Sequence, residues 1–334
     1  MTFPRSENVS AVEELLQHPL WLAPLAGVGD PVFRSLCRKQ GAGLTYTEMV
    51  SAEGLRQGNQ ATWNLVVTAP SESRCAVQLF GGDPKVMASQ ASRVRDKLGE
   101  HLALIDMNMG CPVPKVTRRG EGGALMRDPE RAQAIVSAVV NAVDVPVSVK
   151  FRRGWDNGSE DAVDFAARME AAGAALLCIH GRSVAQLYRG PADWGLIGRV
   201  RAKVQIPCLG NGDVFSRTAA ETLMRQTGVD GVLIARGAEG NPWVFSGVQV
   251  TPRMRVQGAR EHMHGLCGLD PRCGVSRMRK HMAWYLAGLP NGAAWRARAM
   301  TCKTSADYDE MLDEVLAQAE ELGCADEPLQ PRRS

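Results

Sequence analysis

Between residues 21 and 237 the chain alternates short apolar or β-branched runs with stretches of helical spacing. The runs are WLAPLAG (21–27), LTYTEM (44–49), CAVQLFG (75–81), LALIDMNMG (102–110), VPVSVKFR (145–152), ALLCIHG (175–181), IPCLGNGD (206–213) and GVLIARG (231–237). Glycine, proline or a polar cluster closes each one. Between them lie amphipathic segments such as PERAQAIVSAVVNAV (129–143), EDAVDFAARMEAAG (160–173) and RTAAETLMRQTG (217–228). Strands that are apolar throughout, alternating with helices, predict a parallel sheet covered by helices, and eight such units predict a (β/α)8 TIM barrel. An eight-stranded doubly wound sheet is the alternative, and the first run lacks the G-x-G-x-x-G of its dinucleotide-binding form. After about residue 247 the strand pattern stops. VQGAREHMHGLCG, VSRMRKHMAWYLAGL and YDEMLDEVLAQAEELG read as helices separated by proline and glycine turns. The expected organisation is therefore a barrel over residues 1–247 and a small carboxy-terminal helical domain over 248–334.

With 45% apolar and 22% charged residues, the 334-residue chain is ordinary for a soluble globular protein. No apolar run reaches the roughly 18 to 20 residues that span a bilayer. The first residues carry Glu7, Glu13 and Glu14 and lack the basic-then-apolar order of a signal peptide, so a cytoplasmic protein is expected. The nine cysteines are scattered and never spaced Cys-x-x-Cys, which fits reduced thiols and no metal centre. The net charge of +3 hides an asymmetry: Thr251–Lys303 holds ten Lys/Arg against Glu261 and Asp270, and the chain from Thr304 onward holds nine Asp/Glu against Arg332 and Arg333. This pattern fits a polyanion-binding surface, or two helix faces that neutralise each other.

In a barrel, chemistry collects where strands end. Glu48, Gln78, Asn108 with Cys111, Lys150, His180, Asn211 with Asp213, and Arg236 all stand at or just beyond such ends. The last two ends, GNGD (210–213) and ARGAEG (235–240), are glycine-rich and precede helices, as in the loops that hold a phosphate. Arg236 can add a charge-assisted contact there. Lys150 ends an apolar strand, where a cation can stabilise negative charge on a reduced flavin. Gln78 and Asn211 can bond a ring edge. Cys111 sits in NMGCPVPKVTRRGEGGALM with Lys115, Arg118 and Arg119 just beyond it. No base lies near it in sequence to activate it as a nucleophile, whereas an ordinary thiol is protonated at neutral pH and ready to act as an acid.

APLAGVGDPVFR, LTYTEMVSA, AVQLFGGDP, DMNMGCPVPKVTRRGEGGALM, IHGR, GNGD and ARGAEGNPW together resemble the tRNA-dihydrouridine synthases, in order and spacing, from about residue 21 to 245. RMRKHMAWYLAGL resembles a helix of that family's RNA-binding domain, and the bacterial DusB-like branch is the nearest pattern. The resemblance implies an FMN-binding catalytic barrel with a helical tRNA-binding domain. It implies reduction of the C5–C6 double bond of uridine in tRNA with NADPH or NADH. The flavin contacts it implies fall on Pro24, Leu25, Ala26, Gln78, Lys150, His180, Asn211, Gly212, Asp213, Ala235 and Arg236, with Ala235 where the family has glycine. Cys111 matches the general acid, delivering a proton to C5. Asn108, Lys115, Arg118, Arg119, Arg152 and Arg182 are the implied substrate contacts. The implied partner is tRNA, with no membrane, no metal and no obligate protein partner.

Two other readings compete. A flavin barrel acting on a free pyrimidine would not need the basic helical appendage. A tRNA-binding relative without catalysis would not need Cys111 and Lys150.

Overall fold

A computed structural model describes residues 5–68 and 72–330; Arg332 and Arg333 of the charge pattern lie outside the described residues. Eight parallel strands form one sheet: β1 Leu20–Leu22, β2 Val50–Ser51, β3 Cys75–Phe80, β4 Leu102–Met109, β5 Val147–Arg152, β6 Leu176–His180, β7 Cys208–Asn211 and β8 Gly231–Ile234. Their order is β1-β8-β7-β6-β5-β4-β3-β2, so the first strand pairs with the last. Six of the eight predicted runs contain their strand, and WLAPLAG overlaps β1 at Trp21 and Leu22. The exception is LTYTEM, which makes single parallel bridges, Leu22↔Thr45 to β1 and Tyr46↔Ala76 to β3, with β2 formed just beyond it. The first strand is shorter than its run because Pro24 has no N–H for a ladder.

Period-two alternation explains why the strands read as apolar throughout. One set of side chains, including Ile105, Met107, Val149, Phe151 and Ile179, packs against the helices. The alternate set, with Trp21, Leu44, Tyr46, Ala76, Leu104, Cys178, Leu209 and Leu233, forms a separate cluster on the other face. Residues from strands so far apart in the sheet order meet in one cluster because the sheet is curled. Further along that inner face, toward the strand ends, the chain places Gln78, Asp106, Asn108, Ser148, Lys150, His180 and Asn211. The flanking helices start on Asp-Pro pairs three times. Asp30, Asp83 and Asp128 accept backbone N–H groups as N-caps, and proline takes the first helical position.

Helices Pro252–Leu269, Gly274–Tyr285, Gly292–Ala299 and Ser305–Glu321 have a core of their own, built on Met263, Met278, Met282, Tyr308, Met311 and Leu312. Much of the basic stretch is neutralised within this unit. Arg253 pairs with Glu320 and Asp326, Arg260 with Asp309 and Asp313, and Arg298 with Glu310 and Glu314. Among the described residues no ion pair involves Arg272, Arg296 or Lys303.

The two units meet at a buried polar seam. Asp30 Oδ2 lies 3.1 Å from His262 Nε2 and 3.3 Å from His281 Nε2, while Asp30 Oδ1 caps helix Pro31–Lys39. Burial works to raise the Asp30 pKa, but the two imidazoles outweigh it and hold the carboxyl well below the usual range. Burial takes His281 down to about 4. Beside them Gly240, at φ +60°, runs so close to helix Gly274–Tyr285 that a Cβ would lie 2.6 Å from the Trp284 carbonyl carbon.

Candidate functional site

A pocket of about 510 Å³ opens at the carboxy-terminal ends of the strands. It has the size of a cofactor site, mostly apolar with a few convergent polar groups. Pro24, Leu25 and Ala26 form one wall. Gln78, Asn108, Cys111, Lys150 and His180 form the floor with Asn211, and Gly212, Asp213, Ala235 and Arg236 line the adjoining loops after β7 and β8. Arg152 also lines it. Lys115, Arg118 and Arg119 do not line the pocket; they stand exposed beside it, on and just after the short helix Pro114–Thr117. Arg182 lies behind the pocket wall. It is 3% exposed and spends its guanidinium on Asp213 (2.6 and 2.7 Å) and Gly190 O, so no face of it is turned to an incoming substrate.

Cys111 is held from three sides. Its N–H donates to Asn108 Oδ1 (2.9 Å), its carbonyl accepts Gly123 N–H (2.9 Å), and Arg152 braces the preceding Gly110 carbonyl (2.8 Å). The glycine pair after it is a steric necessity. A Cβ on Gly122 would lie 2.8 Å from Val116, and one on Gly123 2.9 Å from the Cys111 carbonyl oxygen. Burial raises the Cys111 pKa against the pull of the Val113 N–H, Arg152 and Lys150, so the thiol keeps its proton at neutral pH. Among the described residues no carboxylate or imidazole is hydrogen-bonded to it, as a nucleophile's base would be.

Lys150 donates to Asn211 Oδ1 (3.1 Å), and Asn211 in turn donates to Leu233 O (2.8 Å). Burial lowers the Lys150 pKa to about 8, with Asp106 beneath it as a countercharge. His180 is buried among Arg152, Lys150, Arg182 and Arg236; burial first, and then those cations, hold it well below its ordinary value, so it is a neutral acceptor. Burial also takes Arg152 down to about 10, and it donates to the Ser183 and Leu187 carbonyls (2.8 Å each). Arg236 bonds Asp213 (3.3 Å) and stacks on Tyr188 and Phe215, with its guanidinium 5.2 and 5.4 Å from the ring centroids. Asp213 adopts φ +56° and also takes the Ala192 N–H. Ala235 has φ −107° and ψ −101°, outside the regions an L-residue ordinarily occupies, so the β8 turn favours a glycine there.

Sequence reasoning passed over three groups. Tyr188 is 58% exposed at the mouth and lies under both Arg152 and Arg236. Met49 lines the pocket and approaches Asn108 Nδ2 at 3.2 Å. Asp106 is buried below the floor. Its place two residues before Asn108, on the same strand face, was the signal available.

The curled parallel sheet with a polar pocket at its strand ends defines an α/β protein with an enzyme-like site. The match of residues 21–321 to the dihydrouridine synthase (Dus) family is decisive for its family: the chain belongs to it. It is 40% identical over 296 residues to tRNA-dihydrouridine synthase B of Pseudomonas aeruginosa, covering 85% of this chain and 88% of that one. It is 37% identical over 309 residues to the probable tRNA-dihydrouridine synthase 1 of Synechocystis sp., covering 89% and 86%. Among solved structures, histamine dehydrogenase from Rhizobium sp. shares the fold over 74% of this chain and 48% of its own, at 14% identity and a TM-score of 0.50. All nine cysteines are free, and no described helix is long and apolar enough to cross a membrane.

Proposed function

We propose that this enzyme is a tRNA-dihydrouridine synthase that uses FMN and NADPH or NADH to reduce the C5–C6 double bond of uridine, with Cys111 as the proton donor. Family membership supports the activity, and one observation carries the chemistry: a protonated thiol held by its backbone on the floor of a flavin-sized pocket, beside a half-buried ammonium. The residues present fit FMN. Gln78 and Asn211 offer amides to a ring edge, and Lys150 offers positive charge where a reduced ring gathers negative charge. Gly212, at φ +124°, turns the β7 loop beside Arg236, where one terminal phosphate suits the pair. When bound, the flavin supplies hydride to C6.

The chain's own residues do the rest. Charge that develops at C5 and its conjugated O4 is relieved by the Cys111 proton. Asn108 and His180 face the same space and orient the base. A uridine must leave its stack to reach this depth, so the exposed Lys115, Arg118 and Arg119 hold backbone at the rim. The proposed architecture is a closed (β/α)8 barrel over residues 1–247, completed by the bridges of Leu44–Tyr46, with a tRNA-binding helical domain over 248–334. Arg272, Arg296 and Lys303, with the half-buried Arg279 and Lys280, are cations of that domain without an ion pair among the described residues, and so are left for RNA. Free thiols and a tRNA substrate support a cytoplasmic location.

The test is Cys111→Ala. It is expected to retain FMN and to accept hydride from the nicotinamide, yet to convert uridine in tRNA about 10²- to 10⁴-fold more slowly. Wild-type conversion by the prereduced variant at saturating tRNA would remove Cys111 from the mechanism.

A further inference from the structure

Below the pocket floor, Asp106 does not itself line the pocket and reaches it only through Gln78. It is fully buried on the inner face of β4, where Oδ1 accepts the Ser148 hydroxyl (2.5 Å) and Oδ2 accepts the Gln78 Nε2–H (2.6 Å). Gln78 Oε1 then accepts from Asn108 Nδ2 (2.7 Å), and Asn108 Oδ1 accepts the N–H of Cys111 (2.9 Å) and of Gly110 (3.3 Å).

Every link in this chain has a direction. An ionised carboxylate only accepts, so it admits one orientation of the Gln78 amide, nitrogen toward Asp106. That leaves the Gln78 oxygen toward Asn108 and admits one orientation there too, with the nitrogen toward Gln78. The Asn108 oxygen is left for the Cys111 amide. With Gln78 reversed, two buried acceptors would face each other, and Asn108 would have to turn its own nitrogen toward the Cys111 N–H. The same amide planes border the pocket, so their direction also decides which edge of Gln78 and Asn108 a ligand meets.

We propose that Asp106 is the positioning residue of the Cys111 loop: its buried carboxylate sets the direction of the hydrogen-bond chain through Gln78 and Asn108 that holds the thiol over the pocket. The proposal rests on the reading of Cys111 as proton donor. Burial raises the Asp106 pKa to about 6, opposed by Gln78, Ser148 and Lys150, so the carboxylate is ionised at neutral pH.

The test exchanges Asp and Asn between positions 106 and 108. Asn108→Asp alone leaves Gln78 between two carboxylates and sets acceptor against acceptor at one end of its amide. Asp106→Asn combined with Asn108→Asp reverses the Asp106–Gln78–Asn108 links, still provides an acceptor for the Cys111 N–H, and keeps the wild-type charge. With flavin-loaded, prereduced enzyme, Asn108→Asp is expected to slow uridine conversion about 10²-fold, the effect of misplacing a reacting group by about 1 Å. The double exchange is expected to recover at least tenfold of that loss. Hydrogen–deuterium exchange across residues 105–113 should speed up in the single variant and return toward wild type in the double.

A double exchange no better than the single on both readouts overturns the proposal. If Asn108→Asp does not fold, Asp106→Leu decides: faster exchange at 105–113 supports the proposal, and unchanged exchange overturns it. Full activity in Cys111→Ala would end the proton-donor reading instead, while the exchange data would still report whether Asp106 orders the loop.

Discussion

Replacing Lys150 with methionine should make the flavin-free protein more stable while damaging its chemistry. Burial takes this ammonium from 10.5 to about 8. At about 1.36 kcal/mol for each tenfold change in acidity, the folded chain carries a cost of about 3 kcal/mol for holding the charge. Water reaches the side chain through the pocket above, and the variant loses the Asn211 bond and the countercharge to Asp106. Together these reduce the expected gain to about 1–2 kcal/mol. The sign follows from linkage. Below pH 8 the lysine is charged in both folded and unfolded chains, so the whole cost applies. Between about 8 and 10.5 only the unfolded chain keeps the proton, so the cost shrinks, and above 10.5 it is gone. Melting of flavin-free wild type and Lys150→Met should differ by a few degrees at pH 7, on the order of 2 °C per kcal/mol, and should converge near pH 10.5. A variant that melts below wild type at pH 7, or an advantage of equal size at both pH values, refutes the reasoning. The same variant is expected to retain less FMN or to be reduced more slowly by the nicotinamide.

Three further outcomes follow from other parts of the molecule. Arg118→Ala with Arg119→Ala should leave flavin reduction intact and weaken tRNA binding; a salt titration should show a log–log slope shallower by about 1.4 if each arginine holds one phosphate. Asp30→Ala removes the acceptor shared by two buried histidines together with a helix cap, and should cost about 3–5 kcal/mol in urea unfolding at pH 7. Because the Asp30 carboxyl is held well below its ordinary 3.8, its contribution is complete above about pH 4 and is lost as pH falls through the depressed value, so the gap between wild type and variant should narrow in acid. Gly240→Ala should lower the melting temperature, since it strains a φ of +60° and drives a methyl group into the Trp284 backbone; an unchanged melting curve would contradict the close approach.

The strands were legible because both faces of each are buried, which leaves long apolar runs that stop abruptly at polar ends. LTYTEM was the exception: its residues bridge two neighbours singly, and the ladder that defines β2 forms only at Val50 and Ser51. Cys111, Lys150, Gln78 and Asn211 were legible for the same reason, as polar groups at the ends of apolar strands. Arg182 was not, because sequence shows a cation after a strand and not the Asp213 carboxylate that occupies it. Tyr188 came out of a loop whose path no periodicity describes. The basic stretch needed the fold most of all: only packing reveals that Arg253, Arg260 and Arg298 face the acidic last helix.

The seam at Asp30 also sets an order of assembly. His262 meets Asp30 across 232 residues of chain, so during synthesis the first loop emerges long before its partners exist. Until helices Pro252–Leu269 and Gly274–Tyr285 leave the ribosome, Asp30 caps helix Pro31–Lys39 through Oδ1 while its second oxygen lacks both imidazoles. Contacts of such sequence separation form late and slowly. The carboxylate that closes the loop after Pro24, Leu25 and Ala26 is therefore among the last groups to find its partners. A chain cut short before the seam closes should carry the cysteine, the lysine and the glycine loops beside an Asp30 with one oxygen unpaired. The tail thus ties the final pairing of a barrel loop to the far end of the chain.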